Sequence, residues 1–204
     1  MNNQHENGRD GRGKAILIGG AAVVVAVAVA VVFVLPAETG IDPTGLGEKS
    51  GLTEMANPST AENLARGAKR KGVLTPSDTV PDPEPGVSDY WTYEIPPYGE
   101  VELKYKLGKD APITFAWSSD APLNVDMHAH PYEGGEALTE SYAVAKTDRQ
   151  AGRYVAAFAG IHGWHWQNRG FSPVTLTLDA SGQISGSTQL DGRAEQDRDL
   201  TSRP

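Results

Sequence analysis

The residue types best suited to chemistry in this chain are histidines. Four of its five fall in two short motifs, Asp126-Met-His128-Ala-His130 and His162-Gly-Trp-His165-Trp166. On a β-strand, residues i and i+2 share a face, so Asp126, His128 and His130 project together while Val125, Met127 and Ala129 project oppositely. With Val125 and Met127 turned to a core, the polar three line an outer or cleft face. A histidine pair at that spacing can chelate one ion, and neutral imidazole suits Zn, Cu and Ni. His162 or His165 would supply further ligands, with Asp126 as a ligand or as the group that orients a ring N–H. The same residues also read as structure. Alternation puts His162, Trp164 and Trp166 on one face, as in core packing with the imidazole hydrogen-bonded to backbone. It sends His165 to the other face, so both histidines join one site only if a bulge at Gly163 breaks the period. Exposure of Trp164 and Trp166 would mark a partner surface, and their burial would remove that support.

Other chemistries find less purchase. Metal-dependent cupins place a glutamate at a fixed short distance after His-x-His. Here Glu133 comes too early, Glu136 too late, and the glycine flanks are missing. A cupin-like metalloenzyme is therefore a minor alternative. No Ser/His/Asp signature, phosphate loop or H-E-x-x-H motif occurs. The absence of cysteine excludes disulfides, thiolate metal sites and a cysteine nucleophile. A net charge of -8 over 204 residues argues against a nucleic-acid partner, because the chain cannot neutralise a run of phosphates.

The elements that must position the histidines begin with a membrane span. Residues 15–35 are 21 consecutive residues without a charged or strongly polar side chain, and about 20 apolar residues cross a hydrocarbon core of about 30 Å. A cleaved signal peptide has an apolar region of about 7–15 residues, so this run reads as an uncleaved anchor. Arg9, Arg12 and Lys14 precede it while Glu38 and Asp42 follow, which keeps residues 1–14 in the cytoplasm and sends 36–204 outside. Residues 36–87, punctuated by proline, read as a stalk. Within it Ser59 and Glu62 form a capping box for a short helix near 60–71, and 75–86 reads as a polyproline-like spacer.

From Tyr90 the hydrophobic period changes to two. Val101, Leu103, Tyr105 and Leu107 alternate with Glu102, Lys104 and Lys106, the pattern of a half-buried strand. Further strands are expected at 90–95, 113–118, 123–130, 141–146, 153–158, 162–167 and 174–178. Turns are expected at Ser118–Asp120, Asp148–Gly152, Asn168–Gly170 and Asp179–Gly182. The expected fold class is all-β: an antiparallel Greek-key or jelly-roll β-sandwich over 88–192, preceded by one transmembrane helix and the Pro-rich stalk. The charged segment 193–204 reads as a disordered tail.

Two groups of residues carry a resemblance. Gly152-Arg-Tyr154-Val-Ala-Ala-Phe158, then Trp164-His-Trp166-Gln-Asn168, then Val174-Thr-Leu-Thr-Leu178 resemble the later strands of GOLD-type domains, the lumenal β-sandwiches of a eukaryotic cargo-receptor group. The anchor followed by Glu38-Thr-Gly-Ile-Asp-Pro-Thr-Gly-Leu-Gly47, with Asp126-Met-His128 and Ile161-His162-Gly-Trp164-x-Trp166-x-Asn168, is similar to the bacterial "transmembrane anchor protein" group. That similarity implies a single-pass inner-membrane protein with a periplasmic GOLD-like domain. It further implies a non-enzymatic accessory or interaction module associated with a membrane transporter, metal and cation exporters included. The alternative on the residues alone is a periplasmic protein that binds Zn, Cu or Ni. The anchor at the N-terminus and the lack of cysteine depart from the eukaryotic receptors, so cargo binding is not carried over, and His130 and His165 lie outside the shared pattern.

Overall fold

The computed structural model describes residues 19–56, 60–192 and 194–203, so residues 1–18 of the expected cytoplasmic segment and span lie outside the described part. The chain divides into two units, Met1–Pro58 and Ser59–Pro204. In the first, helix α1 (Gly19–Thr39) is long and apolar enough to cross a membrane. Its Val23, Val24, Val25, Val27 and Phe33 are 55 to 68% exposed, an apolar run along the helix surface. A stretch of π-helix, Ala30–Val34, precedes Pro36. Proline brings no N–H to the ladder, and the wider turn accommodates that loss. Gly40, at φ +67, ends the helix, its N–H donating to the Pro36 carbonyl. Asp42 then accepts from Thr44 with one oxygen and from the Glu48 N–H with the other, which starts the one-turn helix α2 (Leu46–Ser50). A 3-10 turn, Leu52–Ala56, follows. The stalk, expected to hold one short helix near 60–71, is helical over Leu46–Ser50 and Leu52–Ala56 as well.

Among its described residues the second unit holds helix α3 (Thr60–Gly67) and nine strands: β1 Leu74–Ser77, β2 Val87–Ile95, β3 Glu100–Leu107, β4 Pro112–Pro131, β5 Glu140–Val155, β6 Gly160–Gln167, β7 Val174–Gly182, β8 Ile184–Leu190 and β9 Glu195–Arg198. Every pairing is antiparallel, and the nine strands form one hydrogen-bonded network. β4 organises it. One edge of β4 pairs with β5 along nearly its whole length, while the other pairs first with β7 and then with β6. β3 lies between β6 and β8, β9 follows β8, and β2 pairs with β7.

Three expectations are corrected here. The segments expected as turns, Ser118–Asp120 and Asp148–Gly152, lie inside the continuous strands β4 and β5: Arg149 to Gly152 pair regularly with β4, and the register shifts only between Ser118/Arg149 and Leu123/Thr147. A bulge needs the same small polar residues that a turn does, and Ser119 satisfies it by donating to the Ala121 carbonyl at 2.8 Å. The spacer 75–86 is not free: β1 pairs with 151–154 of β5, and Glu84 forms an ion pair with Arg153. The C-terminal tail is ordered at β9 by partners far away in sequence.

The core lies on one face of β3, β4, β6 and β7, where Leu103, Tyr105, Met127, Trp164, Trp166, Leu176 and Leu178 are all within 1% of full burial. Each such side chain contributes about 1.5–3 kcal/mol. All four tryptophans, Trp91, Trp117, Trp164 and Trp166, share one aromatic cluster centred on Trp166.

Candidate functional site

Register across β3, β6 and β4 places the polar residues in rows on the face opposite the core. Glu102 pairs with His165, and His165 with Asp126; in the next row Lys104 pairs with Gly163, and Gly163 with His128. The glycine has no side chain to separate its neighbours, so the Lys104 ammonium and the His128 ring meet above it in a short hydrogen bond. A Cβ at Gly163 would lie 1.9 Å from the Leu103 carbonyl oxygen, so the position admits glycine alone without backbone movement.

Lys104 is 5% exposed, deep for a cation. Its ammonium lies 2.8 Å from Glu102 Oε2. Burial pushes the Lys104 pKa down against the raising effect of Glu102. For Glu102, burial works upward, but the attraction of Lys104 prevails and the pKa is lowered. Burial first, and then the Lys104 charge, hold His128 down at about 3. His128 is therefore a neutral imidazole whose Nε2 accepts from Lys104, which leaves the proton on Nδ1, 3.3 Å from the Asp126 carbonyl oxygen. Asp126 Oδ2 accepts from Ser141 Oγ at 3.0 Å, while its Oδ1 is buried without a hydrogen-bond partner. Burial raises the Asp126 pKa. His165 Nε2 lies 3.2 Å from Glu100 Oε2, and this contact holds Glu100 down at about 2.

The five residues singled out by the sequence therefore divide. Asp126, His128 and His165 fall within the outer polar rows, and His130 lies further along the same face, paired with Ile161, its Nδ1 buried without a partner. His162 faces the core. Its Nδ1 accepts from the Tyr154 hydroxyl at 2.7 Å and its Nε2–H donates to the Phe158 carbonyl at 3.1 Å. Burial holds it down at about 4, hence neutral. Gly163 does not reverse the alternation, so His162 and His165 stay on opposite faces. Among the described residues, no group of three or more His, Asp or Glu is placed to hold one metal ion. Trp164 and Trp166 are fully buried, so they form no exposed patch.

Lys104, Glu102 and Ser141 are the members that sequence reading missed. Lys104 reads as one of three solvent-side residues alternating with a core stripe, and only the register with Gly163 and His128 distinguishes it. A second polar chain supports the site from β5. Arg70, beyond α3, makes a bidentate contact with Glu140, Tyr142 donates to Glu140 at 3.0 Å, and Gly67 of α3 packs against the Ser141 carbonyl. The arrangement as a whole is a polar surface on which the buried Lys104 ammonium meets Glu102 and His128, while Asp126 Oδ1 and His130 Nδ1 stay without hydrogen-bond partners.

No protein-family model matches the chain, and no curated protein matches it.

Proposed function

We propose that the protein is a single-pass inner-membrane protein whose β-rich unit, a GOLD-like sandwich on the periplasmic side, serves as a non-enzymatic accessory module that docks onto another envelope protein, with a transporter as the partner class. The observation that carries this reading is the bare apolar surface of α1, which lipid would cover. The outer polar rows support a docking role. Lys104 is paired with Glu102 and His165 contacts Glu100, so the rows present a defined pattern of charge to a partner, which favours specificity and encounter rate. The buried tryptophans take no part in such a surface.

A photo-crosslinking residue at Glu100, beside the rows, tests this in native membranes. A discrete adduct from Glu100 and none from Val80, which is more exposed and lies elsewhere, is the expected result; no adduct from either contradicts docking at this face. The competing metal reading is tested by calorimetry on the full chain in detergent. Binding of Zn, Cu(II) or Ni at about -8 kcal/mol or tighter, lost in His128→Ala/His130→Ala, would replace the docking reading with a metal-binding one.

A further inference from the structure

One end of the β-rich unit carries an apolar knob built on two loops, 96–99 between β2 and β3 and 168–173 between β6 and β7. Asn168, only 1% exposed, locks the loops together. Its side-chain amide donates to the carbonyls of Ile95 at 3.2 Å, Pro96 at 3.0 Å and Ser172 at 2.8 Å. Its Oδ1 accepts from the Gly170 N–H at 2.9 Å, and its own backbone N–H donates to the Gly99 carbonyl at 2.9 Å. Across this clamp the Tyr98 and Phe171 rings meet edge to face, with centroids 5.2 Å apart. Tyr98 holds φ +56, the left-handed region that favours glycine, although a glycine stands beside it at 99. A bulky residue stays in that region only where its surroundings hold it, and such positions cluster at binding and active sites. Phe171 is 71% exposed, and Pro96, Pro97 and Pro173 beside it are exposed as well.

The charges around the knob select its occupant. Glu94 pairs with Thr175, the Thr175 N–H donates to Asp120 Oδ1 at 3.0 Å, and Glu100 follows Gly99 directly. All three carboxylates are exposed, while Arg169 is half-buried and lies within the field of Glu100. An apolar centre inside a charged rim is the anatomy of a protein interface. It suits a bilayer poorly, because anionic headgroups repel an acidic rim. Glu100 also meets His165 at 3.2 Å, so the knob is continuous with the outer polar rows. We propose, on the strength of the docking role given above, that the knob is the anchor of that docking: Phe171 and Tyr98 enter an apolar pocket on an envelope protein, and the rim of that pocket is basic. Aromatic anchors already fixed in place give up little conformational entropy on binding and carry most of the energy of an interface.

The test places a photo-crosslinking phenylalanine analogue at Phe171 in the full chain in native membranes, beside the chain carrying its crosslinker at Glu100. The expected result is a discrete protein adduct of the same mass from both positions. Phe171→Ser and Tyr98→Gly should each reduce the Glu100 adduct several-fold. Tyr98→Gly removes the ring while its backbone stays where glycine is at ease, so an unchanged urea midpoint separates lost docking from lost folding. Glu94→Lys/Asp120→Asn, which keeps an acceptor for the Thr175 N–H, should reduce the Phe171-position adduct several-fold. A Glu100 adduct undiminished in both ring variants, with none from the Phe171 position, would overturn the knob as anchor and leave docking at the rows standing. The absence of an adduct from either position would overturn the docking role and the knob's part in it together. A lipid adduct at the Phe171 position would overturn the protein pocket in favour of the bilayer, and a protein adduct indifferent to the charge changes would overturn the basic rim.

Discussion

At the scale of single residues, His128 and His162 are neutral because the folded chain buries them, at about 3 and about 4. Both lie below the ordinary histidine value, so the unfolded chain binds more protons and the fold loses stability as pH falls. Stability from this source is present above about pH 6.5 and declines from there to about pH 4 for His162 and about pH 3 for His128. Two such groups predict a loss of about 3 kcal/mol between pH 6.5 and 5, measurable by urea unfolding at each pH. His162→Gln should remove roughly half of that slope, and an unchanged slope would contradict the burial assignment. Lys104→Met strands Glu102 and His128 without their donor and should cost about 1–3 kcal/mol. The double change Glu102→Leu/Lys104→Met should recover most of that loss, since apolar replacement of a buried pair is often neutral. The sequence made Asp126, His128 and His130 legible as one face, because i, i+2 spacing is local. It did not disclose Lys104, whose burial depends on a glycine 59 positions away standing opposite it.

At the scale of elements, the alternating runs in β3, β6 and β7 were readable because each buries one face. β4 and β5 were not readable as single strands. Ser118-Ser-Asp120 and Asp148 to Gly152 have the composition of turns, and only the pairing of both strands across the irregularity reveals a bulge. The ordered tail was equally hidden, since Arg198 and its Asp89 partner are separated by 109 positions of sequence. Helix α3 belongs to the β-rich unit through its contacts with β5. Arg70→Ala removes the clamp on Glu140, a residue only 8% exposed. Amide exchange over Thr60–Gly67 should accelerate while β3 and β6 remain protected, as expected for a local opening. Uniform acceleration throughout the sheet would show instead that α3 is part of the cooperative core. Gly163→Ala acts on the strand itself, forcing a methyl group into the Leu103 carbonyl. It should cost at least about 1–3 kcal/mol in urea unfolding, and a neutral effect would contradict the register that brings Lys104 to His128.

At the scale of the whole molecule, composition divides the chain into an apolar helix and an acidic, strand-rich remainder. Residues 87–204 hold ten basic and sixteen acidic groups, most of the net charge of -8. That division was plain in the sequence because twenty-odd uncharged residues in a row have few other uses. Which side of the membrane the acidic part occupies is the claim on which the docking reading turns, and the basic residues ahead of the helix predict the outside. The direct measurement is a pair of C-terminal fusions in a bacterial host, one to alkaline phosphatase, which folds only outside the cytoplasm, and one to green fluorescent protein, which fluoresces only within it. The account predicts an active phosphatase and a dark fluorescent fusion, both retained in the membrane fraction. A bright fluorescent fusion with inactive phosphatase would place the β-rich unit in the cytoplasm and contradict it.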